Sequence, residues 1–193
     1  MPYDRIRDYF DERMGFALSA GSVFNFNKRA YDLLEPFEVL AKRKLAGARI
    51  AHADETGINI GGKRRWLHGF SNDRWTLLFP HEKRGTGAME ACGIIPEFRG
   101  TLCHDHWKPY YKYDCRHALC NAHHLRELTC AHEQYGQQWA KGMQDLLEEI
   151  NDRTIEAGGA LNPHLQEEYR GKYRKIIAEG DTEHPPPKDE REK

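Results

Sequence analysis

Two aspartates stand where a protein can do chemistry. Asp54 ends the apolar run Ala48-Arg49-Ile50-Ala51-His52-Ala53, and Asp105 ends Gly100-Thr101-Leu102-Cys103-His104. A carboxylate at the end of a strand emerges where open sheets bind their ligands. Two further strand-like runs and a short helix lie between the acids, a layout that can bring them together from adjacent strands. Such a pair can hold a hard divalent cation, Mg2+ or Mn2+, which takes oxygen ligands, keeps several waters and accepts the rest of its shell from a phosphate. The chemistry would then be phosphoryl transfer, with the cation activating a hydroxyl or water and stabilising the leaving 3′ oxygen. Either acid alone could equally cap a turn. Glu55 is a weaker candidate ligand, because strand alternation turns it to the opposite face.

The elements that must position these acids can be read from apolar spacing. Strand-like segments fall at 48–54, 65–71, 75–80, 100–105 and 116–120. Gly61-Gly62 and Ser71-Asn72-Asp73 mark hairpin turns. Thr86–Cys92 reads as a short helix between Gly85 and Gly93, and Trp107–Tyr113 as another. Three meandering strands, a helix, a strand, a helix and a strand give an α/β order with a mixed sheet. That is the order of a ribonuclease H-like fold, in which the first and fourth strands are neighbours and Asp54 lies next to Asp105.

Flanking regions are helical. In residues 1–47, Ile6, Tyr9, Phe10 and Met14 recur at helical spacing. A turn and cap at Ser19-Ala20-Gly21-Ser22 precede a second stripe through Val23, Phe26, Ala30 and Leu33-Leu34, and Pro36 is expected to restart the chain into Phe37–Leu45. Helix, turn and helix resemble a helix-turn-helix, though two packed helices without DNA contact fit as well. A long stripe from Leu125 to Ile150 predicts one helix with few breaks, with Asn121 as its cap, followed by a shorter helix over Asn162–Ala178. Pro185-Pro186-Pro187 and the charges beyond read as a linker or disordered tail. The expected organisation is a helical, helix-turn-helix-like region at 1–47, a ribonuclease H-like core at 48–128, a helical insertion at 129–180 and the tail at 181–193.

Basic and aromatic residues gather near the acids: Lys63-Arg64-Arg65-Trp66, Lys83-Arg84, and Trp107-Lys108 after Asp105. Such residues bind phosphates and stack on bases, or form a solvated face over aromatic core residues. His104 and His106 flank Asp105 and either shape the site or contact phosphate. A competing cluster of Cys115, Cys120 and His123 could form a zinc site, but its spacing matches no standard zinc module. Glu127, on the helix after the last strand, is a fallback third acid, with a surface ion pair as its simpler role.

The bulk composition narrows the class. The 193 residues are 39% hydrophobic and 31% charged with a net charge of −1, so DNA binding has to rest on a local patch and not on a global field. No apolar run approaches a membrane span. The N-terminus is not a signal peptide, and five cysteines, an odd number, point to reduced thiols and a cytoplasmic setting.

Longer words carry a resemblance. His52-Ala53-Asp54-Glu55-Thr56-Gly57, Gly61-Gly62-Lys63-Arg64-Arg65-Trp66-Leu67, His81-Glu82-Lys83-Arg84-Gly85, His104-Asp105-His106-Trp107-Lys108-Pro109-Tyr110 and Cys120-Asn121-Ala122-His123-His124-Leu125-Arg126-Glu127-Leu128, in that order, resemble the central region of insertion sequence 66 family transposases. The resemblance runs from about residue 1 to the proline stretch. It implies a DDE transposase with a ribonuclease H-like domain and Mg2+, which hydrolyses DNA at the element's ends and directs the freed 3′ hydroxyl at target DNA. It assigns Asp54 as the first catalytic acid and Asp105 as the second. The family's third acid sits in an Asn-Asn-x-x-Glu-Arg word after a helical insertion, and this chain has no such word. The expectation is a fragment of a transposase, truncated at both ends, impaired without its third acid and prone to self-association. The alternative is a non-catalytic DNA-binding or interaction module remaining from a transposase.

Overall fold

The computed structural model describes residues 2–185. The chain divides into two compact units, residues 1–118 and 119–193.

The first unit opens with helices α1 (Tyr3–Met14) and α2 (Ala20–Ala46). Gly15, left-handed at φ 62°, closes α1, and the Ser19 hydroxyl starts α2 by accepting the Ser22 N–H at 2.9 Å. Pro36 does not restart the chain as expected: it lies inside α2, which runs unbroken through it. Proline removes one hydrogen bond of the ladder there, but Ala41 and Leu45 in the last turns are fully buried and anchor the helix beyond it. Other positions along α2 are open. Phe26, Leu33 and Phe37 are all more than half exposed.

Five strands follow the helices: β1 (Ile50–Ile60), β2 (Lys63–Ser71), β3 (Thr76–His81), β4 (Thr101–His104) and β5 (Arg116–Leu119). Helix α3 (Thr86–Cys92) and 3-10 turns at Ile95–Glu97 and Lys108–Lys112 fill the connections. The β1–β2 hairpin is longer than its apolar core requires. Ile60 pairs with Lys63 across Gly61 and Gly62, whose φ angles of 59° and 77° are those of the tight turn that matches strand twist.

The sheet order is β3-β2-β1-β4-β5. β1 is antiparallel to β2 and parallel to β4, which makes a mixed sheet flanked by helices in a ribonuclease H-like arrangement. The core joins the sheet to what covers it: Ala51 and Ala53 of β1, Phe70 of β2 and Leu102 of β4 pack with Leu45, Met89, Ile94, Ile95, Phe98 and Tyr110. Each large apolar side chain buried there contributes about 1.5–3 kcal/mol.

The second unit is three helices, α4 (Asn121–Tyr135), α5 (Gln138–Glu156) and α6 (Pro163–Glu183). The single long helix expected over this stretch is two, because Gly136 turns left-handed at φ 69° and ends α4. Asn162 caps α6 by accepting the Leu165 N–H at 2.9 Å. The α5 N-terminus is capped from a distance: the Glu183 carboxylate accepts the N–H groups of Gln138 and Trp139 at 2.7 and 3.1 Å. Leu128, Ala140, Met143, Leu146 and Tyr169 form the core. Helix α6 continues to Glu183, past the boundary expected for the tail, and residues 186–193 lie outside the described residues. Among the described residues no helix is long and apolar enough to cross a membrane.

Candidate metal and nucleic-acid site

Strand register brings the two aspartates together. The parallel ladder pairs Ile50 with Thr101, Ala51 with Leu102 and His52 with Cys103. Asp54 and Asp105 each lie two residues past that last pair, and their carboxylate oxygens are within 4.8 Å of one another. On its other side Asp54 faces Gly69 of β2, where no side chain competes for the space.

Local backbone fixes each carboxylate. Asp54 Oδ1 accepts the Glu55 N–H at 2.8 Å. Asp105 Oδ1 accepts the Trp107 N–H at 3.1 Å, closing a small turn over His106. His106 has φ 65°, a left-handed value that a non-glycine residue seldom holds, so the chain is strained immediately after the second acid. In both acids a backbone N–H holds Oδ1. Two like charges this close repel unless a cation lies between or beside them. Paired carboxylates on a rigid sheet are the donor set a hard divalent ion takes.

The Arg84 guanidinium is beside the pair. Its Nη2 lies 3.8 Å from Asp105 Oδ2 and 2.6 Å from Glu55 Oε1. Glu55 shares the inward face of β1 with Ala51 and Ala53, and its side chain is fully buried. Tyr110 donates its hydroxyl to Glu55 Oε2 at 2.5 Å. Burial first, and that hydrogen bond second, push the Tyr110 phenol above its ordinary range, so it stays a donor. Behind Asp105, His104 is buried, stacked on Tyr110 with ring centres 4.7 Å apart, and its Nε2 lies 3.0 Å from His117 Nδ1. Burial, and next the neighbouring His117, hold the His104 imidazole below its usual pKa.

The remaining sequence candidates separate into exposed and engaged groups. Lys63, Arg64, Lys83, His106 and Lys108 are exposed. Arg64 lies over the Trp66 ring at 4.7 Å, and Arg65 is paired with Glu82 at 2.9 Å. His104 shapes the strand end from within the core. Trp107 is half-buried, and its ring closely approaches Gly85, whose φ of 111° only glycine adopts easily. Cys115 belongs to the first unit, with its thiol 3.9 Å from His117 Nε2, whereas Cys120 and His123 belong to the second. Glu127 is exposed on α4 of the second unit. The Glu55–Arg84–Tyr110 cluster is not evident from the sequence, because its members are far apart in the chain. The one available clue was that an acid on the inward face of a strand needs a buried partner.

A family model described as transposase IS66 family matches residues 1–191. The chain belongs to that family. A search of curated proteins finds no match. Membership of the IS66 transposases accounts for the words around both acids and carries with it a role in transposition, action on DNA and the use of a divalent metal.

Proposed function

We propose that the first unit supplies two of the metal-binding carboxylates of a DNA strand-cleavage and strand-transfer site, with Asp54 and Asp105 as catalytic acids that hold Mg2+ or Mn2+. The observation that carries this reading is the register: two aspartates on adjacent parallel strands, each with one oxygen fixed by a backbone N–H and their carboxylates within 4.8 Å. When bound, a divalent ion would polarise the scissile phosphate and favour the hydroxide or 3′-alkoxide form of the attacking group. The protein's own part is to hold the acids rigidly and to receive the strand. Lys63, Arg64, Arg65, Lys83, Arg84, His106, Trp107 and Lys108 are proposed to meet DNA, chiefly its phosphates, with His104 supporting Asp105 from behind. The three helices of the second unit are read as the insertion that precedes the third acid of the family.

A second reading has its own support. In the first unit Glu55 is committed to Arg84 and Tyr110 and so adds no third carboxylate to Asp54 and Asp105. Without a third carboxylate the chain would bind DNA or a partner and cleave poorly. Self-association is also proposed, supported by the exposed Phe26, Leu33 and Phe37 of α2.

Calorimetric titration with Mn2+ tests the primary reading. Asp54→Asn and Asp105→Asn are each expected to weaken binding at least about tenfold, since removing one of two charged ligands costs more than about 1.4 kcal/mol. Unchanged Mn2+ affinity in both variants overturns the metal assignment. DNA binding that depends on salt, with no metal-dependent nicking, favours the second reading.

A further inference from the structure

Glu55 is the buried acid of this site, and its partners show what it is for. A fully buried carboxylate is costly unless paired and hydrogen-bonded. Here Oε1 accepts the Arg84 Nε–H at 2.7 Å and Oε2 accepts the Tyr110 hydroxyl. Both oxygens are therefore committed to these two partners.

Arg84 is held from more directions than its charge alone requires. Its guanidinium carbon lies 4.0 Å from the centre of the Trp107 ring and 5.2 Å from that of Trp66, so two indoles line the guanidinium. Nε and Nη2 are spent on Glu55, and Nη1 makes no hydrogen bond among the described residues. The side chain keeps 35% of its surface open. A pairing that served only to neutralise Glu55 would need neither the two rings nor the open face beside Asp105. Guanidinium is always charged, and its planar donor fork matches a phosphate.

We propose that Arg84 is a preset phosphate-binding residue for the DNA strand entering beside Asp105, and that Glu55 and Tyr110 are positioning residues that hold it there. Glu55 is accordingly no metal ligand. This inference rests on the reading of Asp54 and Asp105 as the metal site, which places the scissile phosphate next to Arg84.

The test is the affinity of the whole chain for a short DNA duplex of arbitrary sequence, measured across a salt series, with Mn2+ titration alongside and folding checked by circular dichroism. Arg84→Met is expected to weaken DNA binding and to reduce the slope of log affinity against log salt by about one. Glu55→Gln is the sharper variant. It removes a negative charge, which by charge alone would tighten DNA binding; the positioning role predicts several-fold weaker binding instead, with Mn2+ affinity retained. Tyr110→Phe should weaken DNA binding in the same direction by less, and it decides the matter if Glu55→Gln does not fold. The double variant Glu55→Gln, Arg84→Met should bind no worse than Arg84→Met alone. Tighter or unchanged DNA binding in Glu55→Gln and Tyr110→Phe overturns the proposal. So does an unchanged salt slope in Arg84→Met, or loss of Mn2+ affinity in Glu55→Gln. If Asp54→Asn and Asp105→Asn keep Mn2+ affinity while the Arg84 results hold, the metal reading fails and the phosphate site stands without it.

Discussion

The two units of this chain use their sequence differently. The first buries eleven residues in one core that ties α2, the sheet, α3 and the Lys108–Lys112 turn together, and at the edge of that core it carries two aspartates, a clamped arginine and a buried histidine. The second buries five, places its charges in exposed ion pairs one turn apart, such as Lys141 with Asp145 and Arg170 with Glu167, and caps its helices with Asn162 and Glu183. Exposed pairs of that kind contribute little, about 0–1 kcal/mol each. The rigidity that holds carboxylates at a fixed separation comes from long-range packing on a sheet. A bundle of amphipathic helices with a thin core has no comparable device, which is why the proposed metal chemistry is assigned to the first unit.

That contrast can be broken most severely in the core. Phe98→Ala empties a fully buried site beneath the sheet and should cost about 3–5 kcal/mol in the first unit. Met143→Ala should cost about 2–4 kcal/mol in the second. Thermal unfolding followed separately by the tryptophans of each unit, Trp66, Trp75 and Trp107 against Trp139, reads the outcome. Each substitution should lower its own transition and spare the other; a common shift would show that the units fold as one.

A smaller effect comes from pH. Burial lowers the pKa of His68 below its ordinary value of 6.5 in the folded state. The unfolded chain then binds the proton more readily, so stability is fully present above pH about 6.5 and falls as pH drops through that value toward the lowered one. The Tm of the first unit should decline over that window, and His68→Phe should flatten the decline. No flattening would mean that another group carries the acid sensitivity.

Least is expected for folding at the exposed end of α2. Leu33→Glu with Leu34→Glu should change stability by less than about 0.5 kcal/mol per site, because both side chains are more than half exposed. If α2 mediates self-association, the same pair of changes should turn an oligomer into a monomer in sedimentation. A wild-type chain that is already monomeric removes that proposal.

Much of the sheet was legible because its signals are local. Apolar runs ended by turn residues gave the strands, and the order of elements placed the first strand beside the fourth, which fixed Asp54 next to Asp105. The hairpin extension from Thr56 to Ile60 was not legible, since its residues are mostly exposed and polar and are held by pairing with Lys63–Leu67 and not by burial. Pro36 misled because a local rule about proline was overridden by the anchoring of Ala41 and Leu45. Gly136 was passed over because the apolar stripe continues in phase on both sides of it. The Glu55–Arg84–Tyr110 cluster was illegible for a different reason: its contacts join residues 29 and 55 positions apart, and no periodicity reports contacts of that range.

The central claim is that Asp54 and Asp105 together hold a divalent metal, and paramagnetic broadening by Mn2+ tests it directly. With the backbone amide resonances assigned, substoichiometric Mn2+ should first erase the signals of Asp54, Glu55 and His104 to Trp107, and Asp105→Asn should restore them. Broadening that begins instead at the acidic faces of α5 and α6, or around Cys115 and His117, and is indifferent to Asp105→Asn, would contradict the account.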